Sequence, residues 1–135
     1  MSILFEIRPE FETCENRFDQ VGEALFAVFK DEQLIGIGGV NRQSSVFTNS
    51  LSNPKPMIPL DEIGRIRRFY IHPHYRKQGI ATKLLRIIED TAIHHFKVLT
   101  LYTDTERASE FYLACGYRRD DFHADISHFK ILVKT

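Results

Sequence analysis

Arg65-Ile66-Arg67-Arg68-Phe69-Tyr70-Ile71-His72-Pro73-His74-Tyr75-Arg76-Lys77-Gln78-Gly79-Ile80-Ala81-Thr82 is the stretch on which the reading of this chain turns. Residues 63–71 read as a strand closed by His72-Pro73. After Gly79, the residues Ile80, Leu84, Ile87, Ile88, Thr91 and Ala92 fall at helical spacing, which predicts an amphipathic helix over residues 81–95. The stretch is therefore a strand, a turn and the start of a helix. The first N–H groups of a helix have no partner inside it, and the macrodipole places about half a positive charge there. Gly79 and Ala81 keep that backbone accessible, and Arg76 and Lys77 add charge. Such a turn is an anion site suited to a phosphate.

Upstream, residues 3–8 alternate apolar and charged side chains as a half-buried strand does, and Pro9 is expected to end it. Residues 10–23 are acidic, with room for one short helix. Residues 24–29 and 34–40 are apolar runs joined by Lys30-Asp31-Glu32-Gln33, which predicts an antiparallel hairpin. Residues 41–61 hold Asn41, Asn49, Asn53, four Ser and Pro54, Pro56 and Pro59, and read as a long loop. Downstream, residues 98–102 read as a strand and residues 105–115 as a short helix ending at Gly116. Two strands are expected within 117–122 and 126–133. The order β, short α, β, β, long loop, β, α, β, α, β, β defines an α/β sheet of mixed direction.

The composition fits one soluble domain over residues 1–135, with 43% hydrophobic residues and 18 basic against 18 acidic side chains. A chain of this size buries roughly two-thirds of its unfolded surface, enough for a core without disulfides or a structural metal. The zero net charge argues against a generic nucleic-acid binder. The zero is nevertheless a sum of unequal parts. Residues 64–88 contain Arg65, Arg67, Arg68, Arg76, Lys77, Lys83 and Arg86 and no acidic residue, so a cationic patch coincides with the anion turn. Cys14 and Cys115 are far apart and fit no zinc or disulfide pattern, as in a reducing cytoplasm. No apolar run reaches the roughly 18 residues of a membrane span, and neither a signal peptide nor a membrane anchor is expected. His72, His74, His94, His95, His123 and His128 form neither an HExxH motif nor a Cys/His cluster, so no metal is expected. Cys115, beside Gly116 and without a recognisable base, reads as a small core residue.

Two motifs within this frame resemble the GNAT superfamily of acyl-CoA-dependent N-acetyltransferases. The family's pyrophosphate loop, Arg or Gln, x, x, Gly, x, Gly or Ala, is matched by Arg76-x-x-Gly79-x-Ala81, preceded by Ile71-His72-Pro73. A downstream helix signature is matched by Ala108-x-x-Phe111-Tyr112-x-x-x-Gly116-Tyr117. The resemblance is sharp from Ile66 to Tyr117. It implies a mixed, mostly antiparallel sheet flanked by helices, with a central splayed strand pair and acetyl-CoA as co-substrate. By the same resemblance, pantetheine pairs with the strand near Phe69, Tyr70 and Ile71, and the pyrophosphate meets Arg76, Lys77 and the N–H groups of Gln78, Gly79, Ile80, Ala81 and Thr82. Thr105 takes a position where the family often has an Asn contacting the pantetheine arm, and Tyr112 is the residue that assists the leaving thiolate. With ordinary values of about 10 for Tyr and 8.5 for a thiol, full proton donation is uphill by roughly 2 kcal/mol, which favours a hydrogen-bonding role. A core Tyr on an amphipathic helix is the structural alternative.

The base departs from many relatives, which carry a Glu six residues before the hydrophobic residue of the x-Pro turn; here that position is Arg65. An Arg stays protonated and takes no proton from an ammonium. A lysine-like amine costs on the order of 4 kcal/mol to deprotonate at pH 7.5, whereas an α-amine near 7.7 costs almost nothing. The acceptor is therefore expected to have a low-pKa amine, or to lose its proton through water to Glu62, Asp104 or His72. Period-two alternation places Arg65, Arg67, Phe69 and Ile71 on one face, where Arg65 and Arg67 would attract a carboxylate or phosphate. Alternatively, Arg65, Arg67 and Arg68 are solvated or paired with Asp61 and Glu62. By the same resemblance the acceptor wall falls in residues 10–23 and must be short, so the loop 41–61 as a lid or a second subunit of a homodimer would close the cleft; the alternative is that 41–61 is a disordered surface loop. The rival class is a non-catalytic module on the same fold, holding acyl-CoA or nucleic acid without turnover.

Overall fold

The computed structural model describes residues 5–10, 18–43 and 59–133. Seven strands and two α-helices follow in the order β1 (Glu6–Glu10), β2 (Ala24–Lys30), β3 (Gln33–Arg42), β4 (Ile63–Ile71), α1 (Ile80–Ala92), β5 (Val98–Leu101), α2 (Glu106–Ala114), β6 (Arg118–Arg119) and β7 (His128–Ile131). They build one sheet in the order β1-β2-β3-β4-β5-β7-β6. All adjacent pairs are antiparallel except β4 with β5, which is the pair spanned by the α1 crossover.

The hairpin of β2 and β3 turns on two residues rather than the four expected, because Lys30 and Gln33 still pair. Asp31 and Glu32 both have positive φ, 51° and 68°, which matches the twist of a two-residue hairpin although neither is glycine. Pro9 does not end β1 as expected. It lies opposite Phe26 within the edge strand, a position where a missing N–H costs no ladder bond if that side faces outward. The short helix anticipated in residues 10–23 falls largely outside the described residues, and residues 18–23 are not helical. Of the loop 41–61, Asn41 and Arg42 extend β3, Leu60–Glu62 is one 3-10 turn, and residues 44–58 lie outside the described residues.

α1 covers one face of the sheet with Ile80, Leu84, Leu85, Ile88 and Ala92; Leu85 joins the stripe read from the sequence, whose Ile87 and Thr91 are only half-buried. Full burial of each large aliphatic side chain is worth about 1.5–3 kcal/mol, so this stripe is the main anchor of the helix. The helix lies close because Gly38 lacks a side chain: a Cβ there would stand 2.9 Å from Phe69 and 3.2 Å from Leu84 and Ile88.

α2 is closed at both ends by local chemistry. Thr105 Oγ1 accepts the Ala108 N–H at its start. At its end Gly116 takes φ 94°, its N–H donates to Leu113 O, and the Tyr117 N–H donates to Tyr112 O, which is a Schellman motif. The apolar contact that accompanies this motif is the Tyr112–Tyr117 ring pair, 5.4 Å between centroids. The spacing Tyr112-x-x-x-Gly116-Tyr117 is thus a helix stop as well as a site signature.

Candidate functional site

β4 and β5 share only three register pairs, Ile63 with Val98, Gly64 with Leu99 and Arg65 with Thr100. Beyond Arg65, β4 keeps β3 on one side and loses β5 on the other, while β5 runs on to Leu101 against β7. The sheet therefore forks at Arg65, ahead of Phe69, Tyr70 and Ile71, where the family resemblance puts the pantetheine contact. Main-chain groups along the free side of β4 are open to an extended ligand.

The fork leads to the turn before α1. Gly79 is the N-cap of α1, with φ 81° and no side chain capping the helix, and nothing lies within 4 Å of where its Cβ would be. The first bond into the helix is from Lys83 N–H to Gly79 O. The N–H groups of Ile80, Ala81 and Thr82 precede it and have no helical partner. Lys77 also has positive φ, 64°, and Lys77, Gln78 and Gly79 are exposed. Arg76 is held in place by its Nε–H, which donates to Ile71 O at 2.9 Å, and its guanidinium stands 5.4 Å over the Tyr70 ring. Ile71 and Ile80 are buried core residues, so each offers the site its backbone alone.

Thr105 lies beyond the end of β5, where its hydroxyl caps α2 and faces Thr103 Oγ1 at 3.4 Å. Tyr112 is 6% exposed and packs on Phe69 of β4, with 6.0 Å between ring centroids. Burial, with a smaller contribution from Cys115, pushes its phenol well above the ordinary value. Behind it lies His128, buried and bonded through Nε2 to Ser109 Oγ at 3.0 Å and through Nδ1 to Ser127 Oγ at 2.8 Å. Burial, then Arg119, holds His128 below its ordinary value. Cys115 is a half-buried thiol pushed up first by burial and then by Glu89, and it stays protonated at neutral pH.

On the far side of the fork is a cavity of about 1240 Å³ lined by Asp19, Gln20, Glu23, Asn41, Arg42, Gln43, Leu60, Asp61, Arg65, Ile66, Arg67, Arg68 and Tyr102. Arg65 and Arg67 both line it. Phe69 and Ile71 do not share their face, contrary to the alternation expected along β4. The cause is a bulge: Arg67 pairs with Gly39 but Tyr70 with Ile37, and Arg68 between them has φ 58°. The extra residue turns Phe69 and Ile71 toward the core that contains Ile66 and α1.

The three proton acceptors considered from the sequence are not gathered here. Among them, Glu62 pairs with Lys97 at 3.3 Å, His72 Nδ1 accepts the His74 N–H, and Asp104 is exposed beyond β5. The carboxylates that line the cavity are Asp19, Glu23 and Asp61. Of these, Glu23 is committed to the backbone, accepting Arg42 N–H at 2.8 Å and Gln20 N–H at 3.2 Å. The structure also brings together Thr100 and Gln43, buried and joined at 2.8 Å. No local pattern marks them, because residues 57 positions apart meet only through the sheet. Among the described residues no group of His, Cys, Asp and Glu could hold a metal ion, and no helix is long and apolar enough to cross a membrane.

A forked parallel pair stands beside an uncapped helix start that follows Arg76 and Lys77, which brings open main-chain groups, free N–H groups and positive charge together. Residues 22–119 match the family model described as the acetyltransferase (GNAT) domain. The chain belongs to this family. Solved structures agree in fold. A protein assigned as an acetyltransferase from Exiguobacterium sp. 255-15 is 30% identical, with TM-score 0.66, over 84% of this chain and 66% of that one. An acetyltransferase from Streptococcus agalactiae 2603 is 15% identical, with TM-score 0.68, over 95% and 98% of the two chains. The PaiA N-acetyltransferase of Thermoplasma acidophilum, solved in complex with coenzyme A, is 18% identical, with TM-score 0.58, over 81% and 60%. This chain thus spans just under two-thirds of the first of these relatives. No curated protein matches it significantly.

Proposed function

We propose that the protein is an N-acetyltransferase that moves the acetyl group of acetyl-CoA to the amine of a small anionic or low-pKa acceptor in a ternary complex. The observation that carries this reading is the fork at Arg65 opening toward the uncapped N-terminus of α1. Acetyl-CoA supplies an acetyl thioester. The pyrophosphate is received by the N–H groups of Gln78, Gly79, Ile80, Ala81 and Thr82, with Arg76 and Lys77 as countercharges. The pantetheine arm lies along Phe69, Tyr70 and Ile71, and the Thr105 hydroxyl, which accepts the Ala108 N–H, has one proton to donate, either to that arm or to Thr103 Oγ1. The coenzyme A complex of the Thermoplasma relative supports this assignment.

Tyr112 acts as a hydrogen-bond donor to the thioester sulfur. Burial raises its phenol, so full proton transfer to a thiolate is still less favourable than the roughly 2 kcal/mol deficit of an ordinary Tyr. Arg65 and Arg67 face the acceptor cavity and favour an acceptor bearing negative charge over a polyamine. The relatives are acetyltransferases, so a non-catalytic or nucleic-acid-binding module is not favoured. One domain, a reducing cytoplasm and closure of the open cavity by a second copy complete the reading.

The test is free-thiol release from acetyl-CoA across a panel of amines, alongside Tyr112→Phe. Amine-dependent release that falls in the variant is the expected result. Coenzyme A binding without release for every amine would show a binding module instead.

A further inference from the structure

Just beyond the vertex, the two arms of the fork carry side chains that match nothing in the protein itself. Arg65 and Thr100 are the last register partners. The next residue on the same face of each arm is Arg67 on β4 and Tyr102 past the end of β5, and both line the acceptor cavity. Arg67 is exposed, and Tyr102 is 56% exposed. Among the described residues neither side chain has a hydrogen bond, an ion pair or a ring contact. Tyr70, the exposed phenol farther along β4, differs in having the Arg76 guanidinium 5.4 Å over its ring.

Tyr102 is nevertheless held in a fixed place. The carbonyl before it, Leu101 O, accepts the Ser127 N–H, and the N–H after it, that of Thr103, donates to Ser127 Oγ, both at 2.8 Å. Ser127, in the loop between β6 and β7, thus clamps the main chain on both sides of the ring. On the other arm Arg67 is fixed by its pairing with Gly39 of β3. Leu60, 42% exposed in the turn before β4, adds a second apolar side chain to the same lining. A ring whose main chain is fixed and whose surface is in water is contact area already in place, because little freedom is lost when a ligand covers it. The charges narrow the choice of ligand. Four arginines line the cavity against three carboxylates, a surplus of a single positive charge. One acid group matches that surplus, whereas a polyphosphate or a polyamine does not. The rest of the ligand meets Tyr102 and Leu60, and an apolar body covers those surfaces with the largest gain.

We propose that Tyr102 and Leu60 form an apolar specificity subsite, and that the acceptor is an amine with one acid group, held by Arg67, and an aromatic or branched apolar body, held by Tyr102. This rests on the N-acetyltransferase reading and narrows its acceptor class. In the sequence Tyr102 is only the last residue of an apolar strand, and its place in the cavity depends on where β4 and β5 part.

The experiment measures thiol release from acetyl-CoA with amino acids and aminophosphonates whose side chains are aromatic, branched, methyl or carboxylate. Wild type, Tyr102→Ala, Tyr102→Phe, Leu60→Ser and Arg67→Gln are compared. Calorimetry reads binding of the same compounds to the coenzyme A complex, and sedimentation reads the oligomeric state. The expected result is a kcat/KM roughly tenfold or more higher for the aromatic or branched members than for the methyl and carboxylate ones, the margin that a few apolar carbons give in a pocket. Tyr102→Ala removes that preference, mainly through KM, at unchanged coenzyme A affinity. Tyr102→Phe keeps it, since the ring and not the hydroxyl makes the surface, and Leu60→Ser lowers it less. Arg67→Gln lowers kcat/KM for every acid-bearing member alike. Thiol release that is best with methyl, carboxylate or acid-free amines would overturn the subsite and leave the acetyltransferase reading intact. Binding of apolar members that depends on Tyr102, without release from any amine, would uphold the subsite and overturn that reading. Neither release nor binding with the apolar members would overturn the proposal. An oligomeric state that changes in Tyr102→Ala while acceptor preference does not would assign the ring to a subunit contact and overturn it as well.

Discussion

Arg65 and Thr100 are the last register partners of β4 and β5, and the sheet opens immediately beyond them. On the cavity side of that vertex stands Arg65 itself. Thr100 is fixed by Gln43 at 2.8 Å and lies 3.3 Å from Gly64 O, so the vertex is tied to β3 and β4. Weakening this tie is expected to disturb turnover through the position of Arg65. Thr100→Val removes the hydroxyl and leaves Gln43 without this bond, for a loss of about 1–3 kcal/mol in unfolding free energy. Denaturant unfolding measures it; an unchanged midpoint would show that the hydroxyl contributes nothing.

Gly79 is required by its backbone and not by crowding, since its φ is 81° and its surroundings are open. Gly79→Ala therefore introduces no clash but forces an alanine into a left-handed conformation, at about 1 kcal/mol. Relaxation of that strain moves the first N–H groups of α1. A several-fold rise in the Kd of coenzyme A by calorimetry, together with the small stability loss, is the expected outcome.

Tyr112 combines a structural and a chemical role that substitution can separate. Its ring packs on Phe69, Phe111 and Tyr117. Tyr112→Phe preserves those contacts, so kcat is expected to fall tenfold or more with the thermal midpoint nearly unchanged. Tyr112→Ala removes the ring and is expected to cost about 3–5 kcal/mol of stability. Equal kcat in wild type and Tyr112→Phe would leave the residue with its packing role alone.

Stability should fall at both ends of the pH scale. Burial and then Cys115 raise the phenol of Tyr112, and burial and then Glu89 raise that of Tyr117, which donates to Glu89 at 2.7 Å. Above pH about 10 the unfolded chain releases both phenolic protons while the folded chain retains them, so stability declines as pH rises. Burial and then Arg119 lower His128. As pH falls below about 6.5 the unfolded chain takes up that proton first, and stability declines until the folded His128 also protonates. Thermal unfolding from pH 5 to 11 reads both limbs. His128→Gln should flatten the acid limb and Tyr117→Phe should reduce the alkaline one.

Elements whose ends carry local chemistry are legible in the amino-acid sequence alone. The strand Ile63–Ile71 is bounded by His72-Pro73, α1 is marked by its i, i+4 stripe, and α2 is bounded by Thr105 and Gly116. The turn of Arg76, Gly79 and Ala81 is legible for the same reason: its residues are close in sequence and each has a physical function there. Arg68 shows the limit. Nothing in an Arg signals positive φ, so the bulge is hidden, and simple alternation puts Phe69 and Ile71 on the wrong face. Pro9 misleads because its tolerance depends on β1 being an edge strand, a property of the whole sheet. Glu62 misleads because its partner Lys97 lies beyond α1 in sequence.

The measurement that reaches the central claim most directly is amide hydrogen exchange with and without acetyl-CoA. Added protection concentrated in residues 66–71 along the fork and in residues 78–82 at the start of α1 is the expected result. Unchanged exchange in both segments at saturating acetyl-CoA, or protection confined to other parts of the sheet, would contradict the placement of the co-substrate.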